Sequence, residues 1–153
     1  MKLFLVQHGD AVAKELDPER PLSERGQQDV QAMAGFLSQA GISAQQVLHS
    51  GKRRAQQTAA ILAEAMLTAG KPKTVSGIAP NDDVGVFAEA LAGWKQDTVV
   101  VGHLPFMARL VSLLLSGDAE RELIRYQPGS VVCLERGEAG AWCINWMLRP
   151  ELL

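Results

Sequence analysis

Two runs of unbroken apolar residues, Leu3-Phe4-Leu5-Val6 and Val99-Val100-Val101, are each followed two residues later by a histidine that neighbours a glycine. A strand with one wet face alternates apolar and polar residues. A strand apolar at every position needs cover on both faces, which is the condition of a sheet sandwiched between helices. Such sheets bind their ligands outside the carboxyl ends of the strands. The first run leads into Gln7-His8-Gly9 and the second into Gly102-His103-Leu104-Pro105, so both histidines are expected at that edge. Gly9 is expected to let a ligand approach the backbone.

A third short strand, Val47-Leu48-His49, precedes Ser50 and a helix that opens near Arg53-Arg54. This brings Arg54 to the same edge. Pro105 stands where a helix start is pre-organised, which puts His103 at the positive end of the helix that follows. Two imidazoles and a guanidinium converging on one edge suggest a phosphate site. His8 is the candidate nucleophile.

Helical spacing recurs between these strands. Ser23 caps a first helix whose Val30, Met33, Ala34 and Leu37 form an inward stripe ending near Gly41, and Ala55, Thr58, Ala59, Leu62, Ala65 and Met66 form a second. Asp82 or Asp83 begins a third helix with Val84, Phe87 and Leu91 inward. A fourth, from Pro105 to Ser116, is interrupted only by Arg109, Ser112 and Ser116 on one narrow stripe, which implies a largely buried helix. Lys71 to Pro80 reads as a connection, with a short strand near Thr74-Val75. Ser130 to Leu134 and Trp142 to Met147 read as a terminal hairpin around Gly137 and Gly140. The expected fold class is α/β, a three-layer α/β/α sandwich on a mixed, mostly parallel sheet, with residues 1–153 forming a single domain.

The ordered motifs His8-Gly9-Asp10, Arg20-Pro21-Leu22-Ser23-Glu24-Arg25-Gly26, Ser50 to Thr58 with Arg54-Ala55 and Gln57-Thr58, and Gly102-His103-Leu104-Pro105 resemble those of the histidine phosphatase superfamily. The short SixA-type phosphohistidine phosphatases are the nearest match. The resemblance runs from Met1 to the end of the chain and implies a phosphoglycerate mutase-like fold. It also implies removal of phosphate from a histidine-phosphorylated signalling or phosphotransfer protein through a phosphohistidine at His8. Arg54 and His103 would complete the catalytic set, with Gln7, Gly9 and Arg20 binding substrate and no cofactor. The family's usual Arg-His-Gly is here Gln7-His8-Gly9, so an uncharged amide replaces a guanidinium. Two alternatives follow, a phosphohistidine-binding module without turnover and a broad small-molecule phosphomonoesterase.

Several residues carry open readings. Arg20 either reaches the phosphate or pairs with Asp17 or Glu19. Asp10 orients His8 or caps the turn, the second being favoured. The relatives that hydrolyse phosphate monoesters use a glutamate as proton donor, and no equivalent stands out here; Asp82 and Asp83 are distant candidates. His49 makes a third histidine, but no close metal-ligand spacing such as His-Glu-x-x-His is present, so no metal is expected. Ser50-Gly51-Lys52 is not a P-loop, since Gln46 replaces its first glycine and Arg53 its Ser or Thr.

A formal net charge of -2 gives no basic field for nucleic acid. The apolar stretches Leu3–Val6 and Leu110–Leu115 are too short for a signal core or a membrane span, so a cytoplasmic protein is expected. Cys133 and Cys143 are read as reduced core residues on neighbouring strands. Nothing in the sequence indicates an oligomeric state.

Overall fold

The computed structural model describes residues 1–153. The chain runs β1 (Lys2–Gln7), α1 (Glu24–Gln39), β2 (Gln46–His49), α2 (Arg53–Met66), β3 (Lys73–Thr74), α3 (Val84–Leu91), β4 (Thr98–Gly102), α4 (Phe106–Ser116), β5 (Val131–Arg136) and β6 (Trp142–Leu148), then a short 3-10 turn at Pro150–Leu152. The six strands form one sheet in the order β3-β2-β4-β1-β5-β6. The first four are mutually parallel, and the β5–β6 hairpin adds antiparallel to β1.

The unbroken apolar strands are explained by the two cores. Phe4, Val6, Val99 and Val101 point to one face and pack with Val30, Met33 and Leu37 of α1 and Ala59, Leu62 and Met66 of α2. Leu3, Leu5 and Val100 point to the other and pack with Phe87 and Leu91 of α3 and Phe106, Met107 and Leu110 of α4. The sheet is covered on both faces, so each position of β1 and β4 has apolar neighbours. This is an α/β fold with a mixed six-stranded sheet between two helical layers.

Two of the helices begin at a side-chain cap. Ser23 Oγ accepts the Gly26 N–H at 3.0 Å at the start of α1, and Asp83 Oδ1 accepts the Gly85 N–H at 2.7 Å at the start of α3. Gly26 must be glycine, since a Cβ there would lie 2.0 Å from the Asp10 carbonyl oxygen. That contact presses the start of α1 onto the turn after β1.

One packing expectation needs correction. Cys143 is exposed and only Cys133 is buried; both are free thiols. Cys143 lies opposite Glu135, where the hairpin has run past the core, and a register shift at Cys133/Leu134 separates it from the buried part of the ladder. Helix α4 is largely buried, as expected: Phe106, Met107, Leu110, Val111 and Ser112 are buried, and Leu113, Leu114 and Leu115 are half-buried. The strand near Thr74 is Lys73–Thr74.

Candidate active site

The parallel pairing of β1 with β4 places Gln7 beside Gly102, so His8 and His103, each one residue further on, emerge side by side. The His8 N–H donates to the Gly102 carbonyl at 3.0 Å, which ties the two strand ends together. Their rings lie 5.0 Å apart, centroid to centroid, tilted by 53°. Strand β2 pairs with β4 on the opposite side from β1, and the chain after His49 delivers Ser50 and then Arg54 on the first turn of α2.

A cavity of about 360 Å³ opens at this edge, and its polar walls are Gln7, His8, Asp10, Arg20, Arg54 and His103. Ala11, Pro80, Leu104 and Pro128 supply the rest of its lining. Five of the six residues singled out from sequence therefore meet in one place. Gly9 does not line the cavity, which corrects the expectation that it admits a ligand. A Cβ on Gly9 would lie 2.8 Å from Val30 Cγ2 and 3.1 Å from both the Gly26 carbonyl oxygen and Leu22 Cδ2. Its missing side chain makes room for α1. Its backbone serves His8 instead.

His8 Nδ1 lies 2.7 Å from the Gly9 carbonyl oxygen. A carbonyl only accepts, so Nδ1 carries the proton and Nε2 keeps its lone pair. Arg54 Nε donates toward that Nε2 at 3.3 Å. Burial, with Arg54 and Arg20 nearby, pushes His8 down to about 4, so the ring is neutral at neutral pH. His103 is pushed down to about 3, first by burial and then by His8, Arg54, Lys52 and Arg20. His103 is therefore also a neutral ring at neutral pH. A bound dianion would pull both rings back up, because it offsets the cations that now depress them.

Arg20 resolves toward the cavity. Its Nε donates to the Val12 carbonyl at 3.2 Å, while Glu19 pairs with Arg53 at 3.2 Å and Asp17 accepts the Glu19 N–H at 2.9 Å. Arg20 also has a φ of 48°, a left-handed conformation uncommon for a long side chain. Asp10 takes the capping role, its Oδ2 accepting from Ser23 Oγ at 2.6 Å. Gln7 is buried and its Oε1 has no donor partner. His49 is occupied locally, its Nδ1 accepting the Gly51 N–H at 3.1 Å, and no three His, Cys, Asp or Glu side chains gather as a metal site requires.

Two residues at the site had no assigned role in the sequence reading. Thr58 is fully buried; its Oγ1 accepts the Gly9 N–H at 3.0 Å and donates to the Arg54 carbonyl at 2.8 Å, linking the His8 turn to the helix that carries Arg54. In sequence it shows as a hydroxyl in an otherwise apolar stripe and as part of the Gln57-Thr58 motif. Gln57 does similar work, accepting the Leu22 N–H at 2.7 Å and so anchoring the end of the loop that bears Arg20.

An imidazole nitrogen with a free lone pair, two guanidiniums and a second imidazole thus surround one cavity at the carboxyl edge of this sheet. Residues 3–74 match the model of the histidine phosphatase superfamily, branch 1. An uncharacterized protein from Picosynechococcus sp. is 31% identical over 146 residues, covering 91% of this chain and 87% of the relative. The protein histidine phosphatase SixA complexed with tungstate superposes with a TM-score of 0.87 at 25% identity, covering 99% of each chain. The alpha-ribazole phosphatase of Shigella flexneri has a TM-score of 0.80 at 17% identity, covering 98% of this chain and 97% of that one. A phosphoserine phosphatase mutant from Entamoeba histolytica, in complex with phosphoserine, has a TM-score of 0.74 at 13% identity, covering 99% and 98%. The chain belongs to the histidine phosphatase superfamily and is SixA-type.

Proposed function

We propose that this protein is a metal-independent phosphohistidine phosphatase acting on a histidine-phosphorylated signalling or phosphotransfer protein in the cytoplasm, with residues 1–153 working as one domain. His8 Nε2 attacks the phosphorus in line and the partner's imidazole leaves. Water then cleaves the phospho-His8 intermediate and returns the neutral ring. Arg54, Arg20 and His103 donate to the equatorial oxygens, where phosphoryl transfer needs fixed positive charge. Gln7 adds an uncharged amide to the same wall.

The observation that carries this reading is the lack of a free carboxylic acid in the cavity. Asp10, its one carboxylate, is bound to Ser23; Asp82 accepts the Ala79 N–H at 2.8 Å and Asp83 caps α3, and neither lines the cavity. An alkoxide leaving from a sugar or serine phosphate needs a proton donor in the transition state. Imidazole does not need one as strongly, since its conjugate acid titrates near about pH 6.5. The likeness to SixA with bound tungstate supports an oxyanion site.

The test compares turnover of a phosphohistidine protein, free phosphoserine and p-nitrophenyl phosphate, each with and without a chelator. Preference for phosphohistidine, unchanged by chelator, is expected. Faster p-nitrophenyl phosphate hydrolysis moves the protein to the broad phosphomonoesterases that its likeness to the ribazole and phosphoserine phosphatases also accommodates. Chelator inhibition reversed by zinc overturns metal independence.

Gln7 favours a second reading, a binding module without turnover, because it removes a charge-assisted bond of about twice the strength of a neutral one. Gln7→Arg separates the two. The added guanidinium is expected to raise kcat/KM by about tenfold or more, the equivalent of about 1.4 kcal/mol in the transition state. The same change should lower the stability of the empty protein, since a third cation would join Arg20 and Arg54 without a carboxylate partner. Lower activity together with lower stability would mean that the pocket is adapted to glutamine.

A further inference from the structure

Ser50 does not line the cavity, and its serine hydroxyl is the polar group that touches His103 from behind. Ser50 Oγ lies 2.6 Å from His103 Nε2, and the Lys52 N–H donates to the same oxygen at 3.4 Å. The bond spans 53 residues of sequence and exists because β2 and β4 are parallel neighbours whose carboxyl ends coincide. His103 is 1% exposed, and its other ring nitrogen, Nδ1, is buried without a partner.

We infer that Ser50 is a positioning residue: its hydroxyl donates to His103 Nε2, fixing the ring and holding the imidazole proton on Nδ1. The role in turnover rests on the phosphatase reading above; the tautomer does not.

The hydrogen-bond count favours this assignment. A neutral imidazole has one N–H and one lone pair. With the proton on Nδ1, the Lys52 N–H is met by Oγ and the Ser50 O–H by Nε2. One donor, Nδ1–H, is left over in a residue that lines an anion-sized cavity. With the proton on Nε2, the Ser50 O–H loses its only acceptor within the protein and Nδ1 presents a lone pair. A phosphoryl oxygen requires donors, so the first arrangement suits the site and the second opposes it. The low proton affinity of His103 means that the charged form, which would donate from both nitrogens, is not available to the empty protein.

The experiment is 15N-edited NMR of the ring nitrogens at neutral pH, with tungstate titrated as the oxyanion probe, for wild type, Ser50→Ala and Ser50→Thr. Expected are the Nδ1–H tautomer for His103 in wild type and Ser50→Thr, and the Nε2–H tautomer in Ser50→Ala. Tungstate affinity and kcat/KM should each fall about tenfold in Ser50→Ala, the scale of one hydrogen bond to a charged group, and stay within about threefold of wild type in Ser50→Thr on the same scale. An Nε2–H tautomer in wild type overturns the inference, as does Ser50→Ala with unchanged tautomer and tungstate affinity. Should Ser50→Ala fail to fold, the wild-type and Ser50→Thr tautomers still decide. Wild type that shows Nδ1–H and binds tungstate but turns over no phosphohistidine protein overturns the proposed function and leaves this inference standing.

Discussion

His8→Ala is expected to abolish turnover of a phosphohistidine protein, by about 10⁴-fold or more, the scale on which removing a covalent nucleophile acts. The fold should survive. His8 sits just past the end of β1 and is only half-buried, and what the substitution removes is two hydrogen bonds, one to the Gly9 carbonyl and one from Arg54 Nε, each worth about 1 kcal/mol. Acid-quenched mass spectrometry should find a phosphorylated histidine at position 8 in wild type and none in the variant. The variant should still bind the phosphorylated partner, because Arg20, Arg54 and His103 remain. Undiminished turnover would end the nucleophile assignment. A wild type that binds but never becomes phosphorylated would identify the binding module.

The parts of this site that were legible in sequence are those fixed by local pattern. The apolar runs of β1 and β4 require a doubly covered sheet, and a histidine two residues beyond each run lies at the carboxyl edge. Arg54 follows a strand by a few residues, so its placement carries over in the same way. Contacts between distant segments were not legible. Ser50 reaches His103 only because β2 and β4 are neighbours, a fact of strand order that no local signal states. Thr58 looked like one more core position, and its hydroxyl acquires meaning only when the Gly9 turn arrives beside it. Gly9 was read for the ligand, although the chain that needs its empty Cβ is α1. Cys143 was read as core together with Cys133 on the neighbouring strand, but it lies where the hairpin runs past the core, beyond a register shift between Cys133 and Leu134.

Arg54→Ala should show the second-largest effect and divides the cationic residues into those facing the cavity and those facing water. Arg54 has no carboxylate partner; its Nε points at the lone pair of His8 Nε2, and its guanidinium lines the cavity. When a phosphoryl group enters, that planar fork is free to turn to two of its oxygens while Nε2 is released to attack. Removing it should lower kcat/KM by about 10²- to 10³-fold, the loss seen for one preorganised donor to developing negative charge, and should weaken vanadate and tungstate binding in parallel. It should also raise the proton affinity of His8, since Arg54 is one of the charges that lower it, so the acid limb of the kcat/KM profile should move to higher pH. Arg53→Ala is the matched control. Arg53 is the preceding residue on the same helix turn, but it is exposed and pairs with Glu19 at the surface, where such pairs contribute about 0 to 1 kcal/mol. Its loss should change kcat/KM by less than about threefold, under half a decade of rate. Equal effects from the two substitutions would mean that general positive charge near the edge suffices. Unequal effects with no shift of the acid limb would place Arg54 on the phosphate alone, detached from His8.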